Sequence, residues 1–97
     1  MSLQHIKQVI LEVLKEVQTL SGRPWADLPT TAKPLCDLNG FDSICSVEAT
    51  VLVEHKLGGQ KLKPYSVFIS EDGARALSID ETAKHIQLQL VPVQEAK

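Results

Sequence analysis

The sequence predicts an all-α fold, and three stretches predict it. Residues 2–20 carry apolar side chains at three- and four-residue steps. Residues 43–57 open on Asp42-Ser43, close on Gly58-Gly59 and keep an apolar face in between. From Ser78 a capping box, Ser78-Ile79-Asp80-Glu81, leads into a further apolar repeat at helical spacing. At 97 residues the chain holds one domain with a single modest core. Its formal net charge of −2 makes no electrostatic case for nucleic acid or an anionic membrane. Its apolar runs fall well short of a bilayer span, and the opening Met-Ser-Leu-Gln-His has no secretory character. With two cysteines in no motif, these features predict a cytoplasmic protein.

The first helix is read from Leu3, Ile6, Val9, Ile10, Val13, Leu14, Val17 and Leu20, with Lys7, Gln8, Glu12, Lys15, Glu16 and Gln18 on the other side. Ser2 is its cap, and Ser21-Gly22 followed by Pro24 is its stop. The stripe is too short for a coiled-coil arm, so a bundle helix is expected. Residues 21–41 then form a long connection punctuated by Pro24, Pro29 and Pro34. Trp25, Leu28, Leu35 and Leu38 are its apolar anchors. A loop of this length in a small domain is uncommon and is usually functional or well packed.

The central helix follows a turn at Asn39-Gly40 and is capped by Asp42 or Ser43. Ala49, Leu52 and Val53 cluster on one face, with Cys45 beside them and Leu57 at the edge. Ile44, Val47 and Val51 form a second apolar stripe on nearly the opposite side, flanked by Glu48, Glu54 and His55. Either the helix packs against neighbours on both sides, or the second stripe is a docking face. Beyond Gly58-Gly59, Tyr65-Ser66-Val67-Phe68-Ile69 has strand-like composition with no obvious partner strand. The last helix carries Ile79, Ala83, Ile86 and Leu90. Pro92 is expected to stop it, leaving residues 93–97 as a loose tail.

Gly40-Phe41-Asp42-Ser43-Ile44, followed by Val47-Glu48 and closed by Leu57-Gly58, resembles the prosthetic-group motif of acyl carrier proteins. The resemblance covers most of the chain. It implies a small four-helix bundle with a long first loop and a short third helix, matched here to residues 69–77. It also makes residues 59–68 an insertion of no evident purpose, with Lys61, Lys63 and Tyr65. In that family the serine of the Asp-Ser-Ile triplet carries 4′-phosphopantetheine, so the resemblance assigns Ser43 as the attachment site. A phosphopantetheinyl transferase supplies the metal and base that let such a serine attack coenzyme A at phosphorus. Asp42 is then expected to help position that metal or the serine loop. Ile44, Val47, Glu48 and Val51 are expected to meet acyl-loading and acyl-processing enzymes. The carrier itself is a monomer and no enzyme.

Residues 42–63 hold three acids (Asp42, Glu48, Glu54) and three lysines (Lys56, Lys61, Lys63). Carriers of general fatty-acid synthesis have a strongly acidic central helix, so the resemblance implies a specialised pathway, polyketide-like or otherwise acyl-modifying. The rival reading is an unmodified module of the same fold that binds a partner through Ile44, Val47 and Val51. A hydrolase built on Ser43 and one of His5, His55 or His85 lacks a Gly-x-Ser-x-Gly elbow. Cys36 and Cys45 have neither zinc-site nor redox-pair spacing, and Asp42, Glu48 and Glu54 are too spread for a metal cluster.

Overall fold

A computed structural model describes residues 2–23, 28–38, 40–59, 61–62, 66–70 and 73–95. Among them are four helices: α1 (Leu3–Leu20), α2 (Pro34–Asp37), α3 (Ser43–Lys56) and α4 (Ile79–Glu95). A small, mostly helical bundle is what the sequence predicts. The expectations for Trp25, Asn39, Lys63 and Tyr65 fall outside the described residues, as does the side chain of Leu90.

The central element is α1, which packs against both α3 and α4. Ser2 caps it by accepting the His5 N–H at 3.1 Å. Its far end closes when the N–H groups of Gly22 and Arg23 return to the carbonyls of Thr19 and Gln18. Ile6, Val9, Ile10, Val13, Leu14 and Val17 are buried as expected, while Leu3 at one end of the stripe is half-buried and Leu20 at the other is exposed. Gln18 is a correction: placed on the polar side by pattern, it is fully buried.

The described part of the long first loop is packed down rather than open. Leu28, Leu35 and Leu38 rest on the core, Ala32 and Pro34 are buried, and the single turn of α2 lies within the loop. The loop is also tied to the start of α4. Ile79 and Asp80 donate their N–H groups to the Ala32 and Thr30 carbonyls at 3.0 and 2.8 Å, and the Thr30 hydroxyl donates to Asp80 Oδ2. Lys7 of α1 pairs with Asp80 Oδ1 at 2.8 Å, so three segments meet at one carboxylate.

The described residues of 69–77 do not form the expected short third helix. Ile69 and Ala76 instead make an antiparallel β-bridge, supported by Leu77 N–H to the Phe68 carbonyl (2.8 Å) and Ser70 N–H to the Arg75 carbonyl (2.9 Å). Gly73, at φ +73°, sits in the turn between them, where a helix would need negative φ. The β-prone stretch around Phe68 therefore has a partner a few residues downstream. Phe68 is fully buried and meets Phe41 edge-to-face, ring centroids 5.8 Å apart.

The helix α4 begins with the expected capping box. Glu81 N–H donates to the Ser78 hydroxyl, and Ser78 N–H donates to the Glu81 carboxylate. Ile79, Ala83 and Ile86 are buried. Pro92 does not stop the helix, which runs to Glu95 in place of a tail from residue 93. Proline removes one bond of the ladder and can kink a helix without ending it.

The described residues of 59–68, a stretch without a purpose in sequence, have one here. Ser46, Thr50 and Glu54, four residues apart along α3, form a buried polar ridge. Glu54 accepts the Leu62 N–H at 2.7 Å, Thr50 Oγ1 accepts the Val67 N–H at 3.0 Å, and the hydroxyls of Ser46 and Ser66 bond to each other. The ridge satisfies the backbone of a segment that carries Leu62, Val67 and Phe68 into the core. Glu54→Ala is expected to cost about 1–3 kcal/mol in urea unfolding by orphaning the Leu62 N–H, and Glu54→Gln, which keeps an acceptor, less than half of that. Equal losses would show that the carboxylate's charge, not this bond, matters.

Candidate functional site

The site is built where α3 begins. Asp42, in extended conformation, accepts the Cys45 N–H at 3.0 Å, so Asp42 is the cap and Ser43 the first helical residue. Ser43 is exposed, and among the described residues its hydroxyl has no hydrogen-bond partner. The backbone N–H groups of the first turn make this end electropositive. The bond from the Cys45 N–H, more than any other interaction, holds the Asp42 carboxyl below its ordinary pKa, and the Arg23 charge adds to it.

Arg23 is a residue that sequence reading missed, since no motif marks it. It leaves the end of α1 and lies across Gly40. A Cβ on Gly40 would overlap Arg23 Nε and come within 2.7 Å of Cζ, and Gly40 has φ +74°. The positive φ favours glycine, and a Cβ there would have to displace the end of the Arg23 side chain. The Arg23 Nη1 also reaches Cys45 Sγ at 3.7 Å, and that thiol faces the Gly40 carbonyl at 3.8 Å.

The two faces of α3 separate as a docking face and a core face would. Ile44, Val47 and Val51 are 71%, 41% and 54% exposed, which leaves the second stripe open to solvent. Cys45, Ala49, Val53 and Leu57 are buried, while Leu52 is only half-buried. Glu48 stays exposed beside the stripe. Glu54 does not flank it: the side chain turns into the polar ridge, where Lys61 approaches it at 3.9 Å. The even balance of acids and lysines over residues 42–63 is therefore not the charge of the exposed face. His55 and Lys56 sit exposed in the last turn of α3, where a positive charge suits the helix end.

The stripe continues into a groove of about 510 Å³ between α1 and α3, lined by Val17, Leu20 and Ser21 on one side and Val47, Glu48, Val51 and Leu52 on the other. Leu20, 78% exposed, extends its apolar rim. The α1 wall has no signal in the motif, because α1 reads as an ordinary bundle helix. Among the described residues no group of His, Cys, Asp or Glu is arranged to hold a metal ion. Cys45 is buried and Cys36 exposed, both as free thiols, and among the described residues no helix is long and apolar enough to cross a membrane.

Among the described residues three carboxyls titrate below their ordinary values: Asp42 as above, Asp80 chiefly through its hydrogen bond from Lys7, and Glu81 chiefly through the Ser78 N–H. A carboxyl with a depressed folded pKa stabilises the fold above its unfolded pKa and loses that contribution as pH falls. The ordinary values are 3.8, 3.8 and 4.5, so the urea midpoint should begin to fall near the highest of these and continue downward. Asp80→Asn is expected to flatten part of that slope. A midpoint independent of pH across the interval would contradict all three caps and pairs.

No family model, curated protein or solved structure matches the chain.

Proposed function

We propose that this protein is an acyl carrier that bears 4′-phosphopantetheine on Ser43. The observation that carries the reading is the exposed Ser43 hydroxyl, first in a helix capped by Asp42, at the head of an exposed apolar stripe. When attached, the arm supplies a thiol on which acyl groups are held as thioesters. The residues present suit such a group. Ser43 offers a hydroxyl with no hydrogen-bond partner among the described residues, the first turn of α3 favours the negative charge of a phosphodiester, and Arg23 adds a cation beside Asp42. Asp42 holds the helix start in place, and Ile44, Val47 and Val51 present an apolar face to the transferase and to acyl-loading and acyl-processing enzymes.

A specialised pathway remains the better fit, since Asp42 and Glu48 are the only acids of residues 42–56 left exposed. A second reading, an unmodified interaction module, is favoured by the groove, which serves docking whether or not Ser43 is modified. Intact mass after incubation with coenzyme A and a broad-specificity phosphopantetheinyl transferase separates the two. One arm per chain supports the carrier, and no addition with several transferases supports the module.

The stripe has its own test. Val51→Asp is expected to change stability by under about 0.5 kcal/mol, as at other exposed positions, while slowing modification. Val53→Ala, in the core, is expected to cost about 2 kcal/mol or more. Similar costs for the two would make both faces core and remove the docking surface.

A further inference from the structure

The geometry points to Arg23 as a positioning residue for modification of Ser43, a clamp that holds the serine loop from outside the motif; this rests on the carrier reading. The loop is short and must hold three things at once: the turn at Gly40, the Asp42 cap and the Ser43 hydroxyl. The Asp42–Cys45 bond secures only the helix side of it. On the other side, the Phe41 ring is buried against Phe68, and the Phe41 N–H bonds the Leu38 carbonyl at 3.2 Å. Gly40, between them, is exposed and has no side chain with which to anchor itself. Arg23 supplies that anchor. Its side chain occupies the space above Gly40 that a Cβ would fill, and its Nη1 reaches Cys45 Sγ in the first turn of α3.

The root of Arg23 is itself fixed. Its own N–H closes the end of α1 on the Gln18 carbonyl at 2.9 Å, and Gln18 is fully buried. The clamp thus links the C-terminus of the core helix to the loop carrying the candidate nucleophile. A planar guanidinium presents five donors in a rigid fork, and a lysine ammonium cannot replace it at such a contact. A transferase must meet the serine hydroxyl in one orientation, and small misplacements of a reacting group are costly in rate.

Two measurements test the clamp, and one does not depend on modification at all. In amide hydrogen exchange of the unmodified protein, Arg23→Ala is expected to lower protection of the Cys45 amide by about tenfold or more, with Ala83 and Ile86 in α4 unchanged. Unchanged protection at Cys45 would overturn the clamp whatever becomes of the carrier reading. In modification kinetics, Arg23→Ala is expected to lower kcat/KM for the carrier by about 10- to 100-fold, with KM for coenzyme A unaltered. Arg23→Lys should fail to restore the rate. Full restoration by lysine, or a defect confined to KM for coenzyme A, would show that charge alone acts and would overturn the clamp. If the parental chain takes up no arm, the carrier reading fails, and the exchange experiment still decides whether Arg23 holds the loop.

Discussion

Ser43→Ala is expected to abolish attachment of phosphopantetheine completely and to leave the stability of the fold unchanged. Both halves follow from the helix start. The hydroxyl is the only atom through which the proposed link can form, so its loss is all-or-none. The cap, however, belongs to Asp42, whose carboxylate accepts the Cys45 N–H. Ser43 is exposed, and its side chain has no hydrogen-bond partner among the described residues. Alanine is also a better helix former than serine by a few tenths of a kcal/mol, so a change within about 0.5 kcal/mol is expected. Asp42→Ala has the opposite signature: a loss of about 1 kcal/mol from the missing cap, with a serine still available. Intact mass and urea unfolding on the two variants check both. An arm persisting on Ser43→Ala would place the attachment elsewhere, and strong destabilisation by that change would make Ser43 a structural residue.

Phe68→Ala is expected to be the most damaging change to stability, by about 3–5 kcal/mol. Phe68 is fully buried, lies in the segment that has no helix of its own, and packs edge-to-face on Phe41 directly before the Asp42 cap. Small domains have about 5–15 kcal/mol in all, so the loss would be a large share of the total. The Phe41–Phe68 pair should show a coupling of about 0.5–1.5 kcal/mol in a double-mutant cycle. The measurement is urea unfolding with the slope compared between variants. A loss under about 1 kcal/mol would mean that residues 66–69 do not close the core as described. Because Phe41 adjoins the serine loop, the loss should also slow modification of Ser43 in the fraction that remains folded.

Much of the bundle was legible because its signals are local. A serine or aspartate cap, an apolar repeat and a closing glycine all act within a few residues, and α1, α3 and the start of α4 follow from them. Asp42, Ser43 and the alignment of Ile44, Val47 and Val51 in one stripe belong to this group, since they need only the register of one helix; packing decided that the stripe is exposed. Tertiary structure decided the rest. Residues 69–77 look like a short helix by analogy, but backbone pairing between Phe68 and Leu77 and a left-handed Gly73 make them a bridge. Gln18 and Glu54 look like surface residues because polarity usually means solvent. Thr50 and Glu54 are buried because an irregular segment needs acceptors for its N–H groups, and no periodicity records that need. Arg23 is invisible for the same reason. Its contact with Gly40 joins the end of one helix to the start of another, and the interaction exists only after α1 and α3 have packed together.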